Sequence, residues 1–158
     1  MGEVTNEQVN LMLRLFEERR EPKLREARDW FGANFHVKTP DDVARVCPPG
    51  SPGHLYMRMV LGYWEMVASI VNRGLIDEDF FFESHGEQWA VFEQVKPVLS
   101  AWRAMFSSPQ FLANLEENCK RFEAWREKRN PGSNEAIRKV LAQMQQAAQA
   151  PKAQAATS

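Results

Sequence analysis

Only two cysteines occur in the 158 residues, Cys47 and Cys119, far apart and in no metal-like spacing. They offer neither a disulfide framework nor a cysteine zinc site. With no signal peptide visible, they read as reduced thiols in a cytoplasm. Charge of one sign is also missing. The formal net charge is −1, so no overall field favours nucleic acid or an anionic membrane. No long unbroken apolar run exists either. Leu55 to Val71 comes nearest, but Arg58, Glu65 and Ser69 interrupt it. A membrane span needs roughly 20 apolar residues with few or no charges. The three histidines, His36, His54 and His85, form no HExxH pair. No GxSxG elbow, Gly-rich phosphate loop or P-loop lysine appears. The expectation is therefore no catalytic residue, no metal and no cofactor.

Period-two alternation is absent too, and what replaces it is the three-and-four spacing of amphipathic helices along nearly the whole chain. The fold class expected is all-α: a single-domain irregular bundle of about six or seven helices over residues 1–150, with a disordered tail at 151–158. Thr5 caps a first helix, with Gln8 completing a capping box. Pro22 opens the next, or kinks the first. Thr39-Pro40 starts a short helix, and CPPGSPG (47–53) is the clearest loop. A central apolar helix runs over about 54–73 and ends at Gly74. Asp77 caps a further helix, with Glu78 and Asp79 in its first turn and Ile76 and Phe81 forming a hydrophobic staple. A longer helix continues through Pro97. Ser108-Pro109 starts another, RNPG (129–132) ends it, and Ser133 caps the last.

The central helix is apolar on most sides, the pattern of a helix packed mid-bundle. Its polar residues fall on one stripe: His54, Arg58, Gly62, Glu65, Ser69 and Asn72. Glu65 is the sharpest candidate. A partly buried carboxylate serves as a general acid or base, or as a metal ligand. It serves equally as the partner of an arginine, Arg58 two turns back or Arg103 on a facing helix. A buried charge needs a partner in either case, and the structural reading is preferred. The candidate polar seam is therefore His54, Arg58, Glu65 and Arg103.

Two further features carry partners. Between Gly74 and Asn118 there are eight acids and two bases; between Cys119 and Lys139, seven bases and three acids. That basic stretch is a weak candidate for RNA or an acidic partner. Glu123 and Glu127 interleave with its bases, so a solvated helix laced with salt bridges is preferred and nucleic acid ranks a distant third. Five Trp and ten Phe are more than a small bundle requires. Adjacent helical residues point about 100° apart, so Trp30-Phe31, Phe80 to Phe82 and Trp125 cannot all face one core. They form a candidate interface, for a homodimer or another protein.

One resemblance adds to this. Tyr63-Trp64-Glu65 on the apolar helix, then Arg73-Gly74-Leu75-Ile76-Asp77, further aromatics and a Trp, Lys96-Pro97 and Arg103 follow each other in order. This resembles a bacterial helical family catalogued as domain of unknown function 4760, over roughly residues 54–106 and more weakly in the leading helices. The resemblance implies a helical fold and no assigned activity. Members often carry an N-terminal membrane helix, a stretch not found in this sequence. The reading is a cytoplasmic helical domain, leaning away from an enzyme and acting through protein contacts that include self-association. The alternative is a ligand-binding or enzymatic domain built on the polar seam.

Overall fold

The computed structural model describes residues 2–150. Among them are eight helices and no strand, against the six or seven expected. They are α1 (Asn6–Arg19), α2 (Pro22–Asn34), α3 (Pro40–Val46), α4 (Pro52–Asn72), α5 (Glu78–Phe82), α6 (Glu87–Met105), α7 (Ala113–Arg129) and α8 (Ser133–Gln149). The tail expected after Pro151 lies outside the described residues. The chain forms two compact units, one ending at Phe122 and one beginning at Glu123, a division that falls within α7.

Local chemistry places most helix ends. Thr39 and Asp42 exchange bonds as a capping box, with Asp42 N–H donating to Thr39 Oγ1 (3.2 Å) and Thr39 N–H to Asp42 Oδ2 (3.0 Å). Ser51 caps α4 two residues earlier than the periodicity predicts, and Pro52 takes its first position. Past the end of α4, Gly74 lies at φ 74°, where a side chain would be strained. Asp77 caps α5, while Ile76 and Phe81 are both buried, as the staple requires. Pro97 stays inside α6. Gln8 behaves otherwise than expected. Its side chain leaves the α1 cap to Thr5 and accepts Asp77 N–H at 3.0 Å.

In the first unit α4 packs most extensively on α2. The approach is close at Gly53, where a Cβ would meet Trp30 Cζ2 at 2.4 Å. Phe31, Phe35, Val60, Trp64, Trp89 and Leu115 are among the fully buried side chains around it. Between α6 and α7 the helix start expected at Ser108-Pro109 does not form. Ser107 (φ 49°) and Leu112 (φ 57°) both adopt the left-handed conformation, and α7 begins only at Ala113. Burial of the Leu112 side chain holds that turn against a conformational cost of roughly 1–2 kcal/mol. In the second unit Gly132 (φ 83°), not Ser133, occupies the cap of α8. Asn134, the buried residue of that helix, bonds Glu123 O (3.0 Å), Glu127 Oε2 (3.1 Å) and Arg126 Nε (2.6 Å).

Candidate functional site on helix α4

Because Leu112 has no polar side chain, α7 begins without a cap of its own. Its first N–H groups still need an acceptor. Glu65 supplies one from α4. Its Oε1 accepts Asn114 N–H (3.1 Å) and Asn114 Nδ2 (3.0 Å), and its Oε2 accepts Leu115 N–H (2.8 Å). A carboxylate at this end of a helix is favoured by the dipole as well as by the hydrogen bonds. The pairing of Glu65 with an arginine within the chain is therefore not formed; the backbone of α7 is its partner.

The same face of α4 continues the docking two turns on. Asn72 Nδ2 donates to Asn114 O (3.0 Å), while its Oδ1 accepts from Arg121 Nη2 (2.6 Å) and Asn118 Nδ2 (3.3 Å). Arg121 also reaches Glu78 at 2.9 Å. Burial nonetheless pushes the Glu78 carboxyl up from its ordinary range. Arg103 serves this helix start as well. Its Nε donates to Phe111 O (2.9 Å), and its Nη2 lies 2.8 Å from Glu116. Burial of Glu116 works the other way, but the bonds and charge of Arg103 hold its carboxyl below the usual range.

The four seam residues thus divide. Glu65 and Arg103 each bond groups at the start of α7. His54 and Arg58 instead border a shallow pocket of about 420 Å³ near the start of α4, which Lys23, Gly50, Ser51 and Tyr56 also line. Arg58 is exposed and forms no ion pair among the described residues. Lys23 is held by Glu26 at 3.1 Å, and Tyr56 Oη donates to the same carboxylate.

A second polar cluster was not legible in the sequence. Glu87 at the start of α6 takes a bidentate bond from Arg28 (2.6 and 2.6 Å) and another from Arg19 (3.2 Å). Nearby Tyr63 Oη donates to Leu15 O at 2.6 Å, and burial pushes its hydroxyl up to about 12. These residues come from four helices, and no local spacing joins them. His85, beside Gly86 before the start of α6, is buried. It stacks on Phe81 (4.4 Å between centroids), and burial lowers its pKa. Both thiols are buried and pushed up by desolvation.

The expected interface aromatics turn mostly inward. Phe31, Phe81 and Phe82 are core residues at 1, 1 and 3% exposure. Trp30, Phe80 and Trp125 are half-buried, Trp30 against Tyr56 and Trp125 beneath the Arg129 guanidinium at 4.3 Å. Adjacent aromatics do point apart, but helices lie on both sides of them. The apolar side chains left in solvent are others. On α4, Leu55 (51%) and Met66 (47%) are exposed, with exposed Gly62 and half-buried Met59 between them. At about 100° per residue these four fall within an arc of roughly 60°. The central helix, expected to pack mid-bundle, is therefore uncovered on one face.

Within the basic stretch, Lys120 pairs with Glu116 (3.5 Å), Lys139 with Glu135 (3.0 Å) and Arg138 with Glu123. Among the described residues no helix is long and apolar enough to cross a membrane, and no group of three or more His, Cys, Asp or Glu could hold a metal ion.

The fold and the docking seam define an all-helical domain in which α4 is the central element. The chain belongs to the family described as Domain of unknown function (DUF4760), whose model matches residues 4–122. That match takes in the leading helices and ends where the first compact unit ends. No curated protein and no solved structure matches the chain.

Proposed function

We propose that this chain is a non-catalytic helical domain of the cytoplasm that works through protein contacts, self-association among them. The uncovered apolar face of α4, Leu55 to Met66, is the observation that carries this reading. A fold that buries 29 apolar side chains below a tenth of their surface leaves these out on its most apolar helix. Such a face suits a partner surface, and the partner we assign is a second copy of the chain. The polar groups support the non-catalytic part, because each strong candidate is already used by the fold. Glu65 caps α7, Glu87 clamps two arginines, and Arg103 holds Phe111 O and Glu116.

Native mass spectrometry of the freshly purified chain tests the reading. A dimer of bare chains is expected at the higher concentrations. A monomer throughout the micromolar range overturns self-association.

A second reading survives in one place. The pocket beside His54 and Arg58 has three basic side chains, Lys23, His54 and Arg58, and no carboxylate in its lining, which suits a small anion. It ranks below the first because Lys23 is already paired with Glu26. Titration with inorganic phosphate, followed by the chemical shifts of His54, tests it; unchanged shifts remove it.

A further inference from the structure

We infer that two copies of the chain pair through α4 in antiparallel fashion, with the two-fold axis passing between Met59 and Gly62. The inference rests on the self-association reading and assigns its surface and geometry. Three observations carry it.

The first is the order of the exposed residues. Leu55, Met59, Gly62 and Met66 follow each other at steps of four, three and four, a spacing that reads the same in both directions. An isologous contact requires residue i to meet j while j meets i. An antiparallel copy satisfies this by placing Leu55 opposite Met66 and Met59 opposite Gly62.

Gly62 is the second. It lies in the interior of a long helix, where glycine is a poor choice. A Cβ there would meet nothing within 4 Å, so packing inside the chain does not call for it. In the antiparallel pair, the Met59 side chain of one copy enters the space that Gly62 leaves on the other, and the backbones approach closely.

The third is charge. Arg58 is exposed and forms no ion pair among the described residues, and Glu65 lies two turns along the same edge of the face. The carboxylate of Glu65 accepts three hydrogen bonds from α7 and has capacity for more. The same two-fold axis brings Arg58 of each copy beside Glu65 of the other, forming two ion pairs. A parallel pair would instead put the charged edges of the two copies on opposite sides of the contact.

The stripe spans twelve residues, eleven steps of about 1.5 Å, or about 16 Å. That is short of the roughly 800 Å² per partner of a standard stable interface, so the dimer is a reversible one that forms in the micromolar range.

Two measurements on the full chain test the pairing. In sedimentation velocity across the micromolar range, the unaltered chain should dimerise reversibly. Met66→Glu should weaken association about tenfold or more while leaving the melting temperature unchanged, because it places a carboxylate in the apolar seam. Met59→Cys and Gly62→Cys are then mixed in equal amounts and mildly oxidised; the native thiols are buried and stay out of the exchange. Intact mass spectrometry should show the mixed disulfide in excess over either like pair. Like pairs in excess would make the contact parallel and overturn the geometry. A dimer that ignores Met66→Glu and forms no crosslink would place self-association on another face, overturning the pairing while the broader reading stands. A monomer under all conditions overturns both.

Discussion

Helix α4 carries two glycines that a sequence cannot tell apart, and the structure separates them completely. Gly53 has no room for a side chain, because Trp30 of α2 lies 2.4 Å from where its Cβ would be. Gly62 has open space around it. The first is required by the fold and the second is not. Everything else on α4 follows the same division. On the inward side, Glu65 and Asn72 bond α7, Tyr63 bonds α1, and Trp64 and Val67 lie in the core. On the outward side, Leu55, Gly62 and Met66 are exposed and Met59 is half-buried. One helix thus both organises a monomer and displays a surface that the monomer leaves unused.

The largest break in that comparison is expected at Glu65. Glu65→Ala removes three hydrogen bonds, two of them from otherwise uncapped backbone N–H groups at the start of α7. The expected loss is about 3 kcal/mol, read as a lower denaturation midpoint in urea, because charge-assisted bonds to part-buried donors are costly to leave unmade. Amide exchange should accelerate most at Asn114 and Leu115. An unchanged midpoint would mean that α7 does not depend on α4 for its cap.

Gly53→Ala comes next. The added methyl must displace the Trp30 ring, so a loss of about 2 kcal/mol is expected from overpacking. The intrinsic helix preference of alanine offsets part of it. Should the variant melt at or above the parent temperature, the close approach of α2 and α4 is not what fixes this glycine.

Outside α4, buried His85 has surroundings that allow a pH test. Burial lowers its pKa in the folded chain; the carbonyl of Phe81 and the charge of Glu87 act upward, and Arg19 acts downward. A depressed folded value means the unfolded chain binds the proton more readily. Stability is therefore fully present above the unfolded pKa of about 6.5 and falls as pH drops toward the folded value. Melting temperature should decline between neutral pH and about pH 5, and His85→Gln should flatten that decline. An identical slope in both proteins would show that His85 does not carry it.

What the sequence revealed has a physical boundary. Thr39, Asp77, Pro22 and Gly74 act on their own neighbours in the chain, so those helix ends were legible. The polar stripe of α4 was legible as a stripe, but its partner was not. A search for the partner of Glu65 looks for a cation, and the actual partner is backbone N–H, which every residue but proline possesses. For the same reason α7 was started too early: Ser108-Pro109 has the local signature, while the cap that sets the true start comes from 49 residues away. The Arg19, Arg28 and Glu87 cluster left no trace, its members being separated by 59 and 68 residues. The aromatic groups were read as unable all to face one core; several helices together bury Phe81 and Phe82, while Trp30, Phe80 and Trp125 stay half-buried.

Gly62→Ala gives the smallest effect and the one that divides the two sides of α4 most cleanly. If Gly62 were held by the fold, a methyl group would destabilise the chain, as at Gly53. With open space around the position, the substitution should instead stabilise the monomer by about 1 kcal/mol, the helix preference of alanine over glycine at an exposed interior site. The same methyl stands where Met59 of a second copy enters, so association should weaken as stability rises. Changes of opposite sign in one variant cannot come from general damage to the fold. Urea midpoints measured where the chain is monomeric, and sedimentation where it is not, read the two separately. A gain in stability with association untouched would free the outward face of any role in pairing, and a loss of stability would mean that Gly62 belongs with Gly53 after all.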